Sequence, residues 1–281
     1  MTKLVQDNVV IDGSRIAYGI HGEGEPVILI HGTPFYSHIW RKVLPNLLDA
    51  GMQVHLFDLL GFGYSERPRD ASVDTSVSAQ LPVLVKLMDH WDLDECHIVG
   101  HDLGGAIAMH LGVFHPQRVK TLTTIDCVSF DSWPSPRTRE QMAAGLESLI
   151  AASDAEHRRH FSDWILSASH DPDRLQSESL AEYLEMISGS VGQASLFQHQ
   201  IRHYDPGHTS ILTPHLAELG KLPVQIIWGA DDAWQVVDWA HRLNTAIPGS
   251  SLKILEACGH IAPEDQPQSI SELVLEHIYT Y

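Results

Sequence analysis

Basic residues are scarce in this chain. Lysine and arginine number 18 against 36 acidic residues, so the formal net charge is −18. That balance excludes a polyanion such as nucleic acid as the main partner and gives anionic substrates no long-range attraction. Cysteine is scarce too. Cys96, Cys127 and Cys258 are too few and too scattered for a disulfide framework, and no pair has metal-ligand spacing. No apolar run reaches the length of about 18 residues that a membrane span needs. The opening MTKLVQDNVV has no apolar segment of the secretory-signal kind. These absences lead us to expect a soluble, cytoplasmic protein whose partner is a small molecule, with no nucleic acid and no membrane involved.

What is present is a globular composition, with 43% hydrophobic and 19% charged residues over 281 positions. That length suits two structural units, or one large α/β domain with an insertion. Histidine is abundant, at 19 residues. His157 and His160 stand three apart in HRRH, the spacing of a metal pair on a helix. No third ligand is suggested by spacing, so solvated histidines are the plainer reading and no metal is assigned. No nucleotide-binding loop is present, and no cofactor is expected.

Short aliphatic runs recur, each ending in a glycine or polar loop. VILI at 27–30 leads into HGTP, VHLFD at 54–58 into LLGFG, and HIV at 97–99 into GHDLGG. LTTI at 122–125 ends at Asp126, VQIIW at 224–228 leads into GADD, and LKIL at 252–255 into EACGH. Strands buried on both faces of a parallel sheet read this way. Helical periodicity falls between them, at 40–48, 77–90, 103–114, 236–246 and 269–278. The alternation predicts a doubly wound, mostly parallel α/β sheet. Residues 8–11 and 16–19 flank Asp12-Gly13 and predict a hairpin at an antiparallel edge. From 130 to 223 the pattern is helical, which predicts a helical cap inserted after the sixth strand. Residues 1–129 and 224–281 then form the core.

The chemistry concentrates at the ends of the strands. Gly100-His101-Asp102-Leu103-Gly104-Gly105 follows a strand and opens a helix, where a Gly-x-nucleophile-x-Gly turn lifts its central side chain above the sheet. Alone, Asp102 is equally well an N-cap. It does not stand alone. His31-Gly32-Thr33-Pro34 closes an earlier strand, and the amides of Thr33 and Leu103 can form an oxyanion hole. Asp232 lies past one strand end and His260 past the next. The order nucleophile, acid, histidine is the chain order of a hydrolase triad, and such sites lie at the carboxyl ends of strands. Asp126 also ends a strand and is the alternative triad acid; its plainer role is to cap a loop.

With HGTPFYSHIWR, DLLGFGYSERP, GHDLGG, WGADD and CGHIAPEDQP in this order, the chain resembles the α/β-hydrolase fold family over nearly its whole length. An aspartate at the elbow resembles the branch of haloalkane dehalogenases, haloacetate dehalogenases and epoxide hydrolases. The HGxPxxSxxWR pattern and Asp131-Ser132-Trp133-Pro134 look especially like haloalkane dehalogenases. The chain departs from each group. Haloalkane dehalogenases usually carry a tryptophan after the nucleophile and often an asparagine after the His-Gly pair; here Leu103 and Thr33 stand there. Haloacetate dehalogenases carry an arginine where Leu103 stands. Epoxide hydrolases need an HGxP motif, which HGTP satisfies, and two cap tyrosines, for which Tyr183 and Tyr204 are the candidates. Trp164 is an alternative cap donor, toward a halide. The resemblance implies a cofactor-free hydrolase acting on an apolar small molecule through an alkyl ester of Asp102, epoxide hydrolase-like. The alternatives are a haloalkane dehalogenase, an ester or lactone hydrolase, and a non-catalytic binding protein on the same fold.

Overall fold

The computed structural model describes residues 3–70 and 72–281. Eight strands form one sheet in the order β1-β2-β4-β3-β5-β6-β7-β8. They are β1 (Asp7–Ile11), β2 (Ser14–His21), β3 (Glu25–Ile30), β4 (Met52–Phe57), β5 (Cys96–His101), β6 (Val119–Ile125), β7 (Val224–Gly229) and β8 (Ser251–Leu255). β1 and β2 pair as the expected antiparallel hairpin, and β2 runs antiparallel to β4. The other pairings, from β4 through β3, β5, β6 and β7 to β8, are parallel.

The residue pattern explains which strands sit where. β5 and β7 are buried along their whole length, and β3 along its last four residues, as continuous aliphatic runs require when helices cover both faces. β8, at the edge, is only half-buried. The helix Leu103–Phe114 is buried over its first ten residues and lies directly on the sheet. Gly104 permits that approach, since a Cβ there would stand 2.2 Å from the Ile30 carbonyl oxygen. The helix Val77–His90 begins at Ser76, whose hydroxyl accepts from the Ala79 amide. The helices Asp238–Ala246 and Pro267–Thr280 fill the remaining expected positions. Residues 40–48 divide between a 3₁₀ turn, Ser37–Lys42, and the helix Leu44–Asp49, because Pro45 fits only the first turn of a helix.

Between β6 and β7 the described residues form helices and no strand. The longest, Asp154–Leu166, starts with a capping box in which Ser153 and Glu156 satisfy each other's backbone amides. The adjoining helices include Pro136–Ala144, Pro172–Glu178 and Leu180–Ile187. A buried ion cluster ties this stretch to the rest. Arg41 pairs with Glu264 and Lys42 reaches Glu264 at 3.1 Å, while the hydroxyls of Ser179 (3.2 Å) and Tyr183 donate to the same carboxylate. His157 and His160 do not form a metal pair with a third ligand. His157 bonds the Ile187 carbonyl at 2.7 Å, and among the described residues no group of three or more potential ligands converges. Among the same residues, no helix is long and apolar enough to cross a membrane.

Candidate active site

Asp102 sits on the turn between β5 and the helix Leu103–Phe114, with φ +53° and ψ −117°. That is a costly conformation for a residue with a Cβ, of order 1–3 kcal/mol, and it aims the carboxylate out over the end of the sheet. The neighbouring backbone must come close for this to work. A Cβ on Gly32 would lie 2.3 Å from Asp102 Oδ2, so only glycine lets the 31–34 loop reach the carboxylate. The Thr33 amide then donates to Asp102 Oδ2 at 2.7 Å, and the Leu103 amide, opening the helix, also lowers the pKa of the carboxylate. Both amides proposed as oxyanion donors thus act on one carboxylate. His31 braces the loop, accepting from the Leu59 amide through Nε2 at 3.0 Å.

His260 follows β8 and Asp232 follows β7. His260 Nδ1 lies 2.8 Å from Asp232 Oδ2, and Asp232 Oδ1 accepts from the amides of Trp234 and Gln235, both at 2.8 Å. His260 Nε2 faces Asp102 Oδ1 at 3.8 Å, beyond hydrogen-bond reach, and has no other partner. Asp126 is close by but does not bond the histidine. It accepts from the Gly229 amide at 2.7 Å through Oδ1, and its Oδ2 is buried without a partner. Burial, reinforced by the charge of Asp232, raises its pKa well above the usual carboxylate range.

The triad electrostatics follow from the same packing. Burial raises Asp102 to about 6, although His260 and the two amides oppose the rise. Burial alone would lower His260, but the charge and hydrogen bond of Asp232, with Asp102 and Asp126 beyond it, outweigh that and carry it up to about 9. The two shifts favour an ionised Asp102 facing a protonated His260 at neutral pH. His101 adds a contact with no counterpart in the sequence reading: its Nε2 bonds the His260 carbonyl oxygen at 2.8 Å.

A cavity of about 40 Å³ opens on Asp102, with Trp133, Trp164, Tyr204 and Trp234 among its walls. Trp164 stacks on Trp234 with ring centroids 4.5 Å apart, and Trp234 packs against His260 at 5.0 Å. Tyr204 is brought to the site. Thr33 Oγ1 donates to Gln200 Oε1 at 3.1 Å, which leaves it to accept from the Tyr204 hydroxyl at 2.6 Å. Tyr183 is not brought to the site. Its hydroxyl is fully buried on Glu264, within 3.4 Å of Arg41, and it does not line the cavity, so the expectation of a donor there is corrected. Sequence reasoning missed Trp234 and Gln200. Trp234 was findable, because it stands two residues after Asp232, whose carboxylate bonds the histidine; nothing local marks Gln200.

The family model for the alpha/beta hydrolase fold matches residues 25–267. The chain belongs to the α/β-hydrolase fold family. Among its relatives in that family is a soluble epoxide hydrolase of Corynebacterium sp., 26% identical over 297 residues, spanning 98% of this chain and 97% of the relative. Haloalkane dehalogenase 2 of Mycobacterium tuberculosis is 28% identical over 265 residues, spanning 93% and 91%. The crystal structure of an alpha/beta hydrolase fold protein from Burkholderia ambifaria superposes with a TM-score of 0.86 at 29% identity, covering 98% of each chain. Similarity to these members supports a hydrolase and leaves the chemistry to the residues of the site.

Proposed function

We propose that this protein is a cofactor-free hydrolase that opens an epoxide through an ester of Asp102, with residues 130–223 acting as the cap. The observation that carries the reading is the placement of Tyr204. A phenol that burial keeps protonated shares the cavity with the carboxylate. Its O–H rests on Thr33 Oγ1 at 2.6 Å, as the indole N–H groups of Trp133 and Trp234 rest on Thr209 (2.7 Å) and Ser167 (3.1 Å), but only the phenol can turn from that partner and supply a proton. A leaving alkoxide needs a proton, and a leaving halide needs N–H donors.

In this reading Asp102 Oδ2 is held by the Thr33 amide, so Oδ1, the oxygen that faces His260, attacks an epoxide carbon. The new C–O bond forms as the ring C–O bond breaks, and the ring oxygen takes a proton from Tyr204. The proton that His260 carries at rest restores Tyr204, leaving a neutral imidazole. Esterification also removes the Asp102 charge that helped to hold that proton. Neutral His260 then takes a proton from water as the water oxygen attacks the Asp102 carbonyl carbon. The oxyanion develops on Oδ2, where the Thr33 amide already donates. Collapse breaks the bond from the Asp102 carbonyl carbon to the alkyl oxygen; the alkoxide takes the proton from His260 and leaves as the diol, and the water proton left on the Asp102 carboxyl passes to His260 and restores the resting pair. Asp232 keeps the ring oriented and stabilises its charge.

The alternative, halide displacement, uses the same nucleophile and base. Trp164, on the cavity wall, is the observation that favours it. Replacement Tyr204→Phe separates the two. On a terminal epoxide, kcat/KM is expected to fall by about 10²-fold, the scale of a lost general acid. On the matched 1-chloroalkane, any turnover should change by less than about threefold, because a halide leaves without a proton. Equal effects on both substrates, or turnover of chloroalkanes and esters alone, overturn the ring-opening reading.

A further inference from the structure

The Asp102 cavity does not end at its own walls. Thr138, Trp164 and Tyr204 also line a second compartment, which continues between Leu146, Ile201 and Gln141. Its free volume is about 10 Å³, the room of roughly one water molecule. Leu149, His160 and Phe161 in turn line both this compartment and an outer groove of about 350 Å³. The outer groove is rimmed by Glu156, Arg159 and Asp163. The three spaces thus share walls in sequence, from the nucleophile to the surface beside the helix Asp154–Leu166. The polar members of the middle compartment are occupied or neutral. Gln141 and His160 contact each other at 3.4 Å, and burial with the nearby Arg137 lowers the pKa of His160.

We propose that these spaces form one channel and that the substrate carries an unbranched, uncharged alkyl arm that threads it, with the reacting carbon at Asp102. This inference rests on the reading of Asp102 as the reacting group. The inner cavity, larger than the neck, takes the reacting end, and the narrow neck admits a methylene chain but not a branch or a ring. Leucine, isoleucine and phenylalanine walls favour apolar contact, and no cation lines the neck to hold a carboxylate at that point. The charged rim puts the far end of the arm next to water.

Calorimetric titration of the intact protein with alcohols tests this without turnover. From 1-butanol to 1-octanol, affinity should rise by about three- to fourfold per methylene, the hydrophobic increment for burial. The isomer 5,5-dimethyl-1-hexanol, whose branch falls in the neck, should bind at least about tenfold more weakly than 1-octanol, since both have the same number of carbons and only shape differs. Leu146→Trp, which fills the neck, should abolish the preference for 1-octanol. Leu149→Ala, which widens the neck, should raise affinity for the branched isomer; it decides the matter should Leu146→Trp fail to fold by circular dichroism. Equal affinity for the two isomers, or an unchanged preference in a folded Leu146→Trp, overturns the channel. The two readings fail separately. A shape preference without epoxide turnover sinks ring opening and keeps the channel, whereas epoxide turnover without shape preference does the reverse.

Discussion

Asp102 combines positive φ, complete desolvation and a carboxylate held by the Thr33 amide, the features the proposed nucleophile requires. In the proposed mechanism the group attacks only when ionised. Burial raises its pKa to about 6, so the rate of ester formation should fall as pH drops through that value, tenfold per unit well below it. His260 opposes the rise. In His260→Gln the midpoint should therefore move above that of the native protein, read as the rate of adduct formation against pH. A midpoint near 4 in both proteins would contradict the assigned environment. The sequence made Asp102 and His260 legible because each follows a strand at a glycine-bearing turn. It left Asp126 and Asp232 open, since both end strands. Their difference is tertiary: the Gly229 amide occupies one carboxylate oxygen of Asp126, whereas Asp232 reaches Nδ1 of His260.

At the scale of elements, the stretch between β6 and β7 is fastened to the loop that bears His260. Glu264 lies one helical turn beyond that histidine and is almost fully buried beneath Arg41, Lys42, Ser179 and Tyr183. Removing both cations leaves a buried charge unpaired, which costs about 3–5 kcal/mol. The double variant Arg41→Met, Lys42→Met should lower unfolding stability by about that much in urea denaturation, whereas a loss below about 1 kcal/mol would mean the cluster is solvated in solution. The strands and long helices were legible from periodicity. The Tyr183 role was not: its spacing fits both a packed helix face and a cavity donor. Glu264, 81 positions away, decides between them through a contact that no local pattern encodes.

At the scale of the molecule, the parallel sheet and its helical insertion could be read from the alternation of buried strands and helices. The placement of β4 between β2 and β3 could not, because strand order depends on crossovers rather than on composition. That order sets the HGTP loop after β3 beside the elbow after β5 and so completes the site. The central claim, a covalent ester at Asp102, can be tested on the whole protein by intact mass spectrometry of His260→Gln incubated with a terminal epoxide. Without the base for water, the account predicts a stable gain equal to the entire mass of the epoxide, absent in the double variant that also carries Asp102→Asn. Unmodified His260→Gln, under conditions in which the native protein converts the same epoxide to diol, would contradict it and make Asp102 a base instead of a nucleophile.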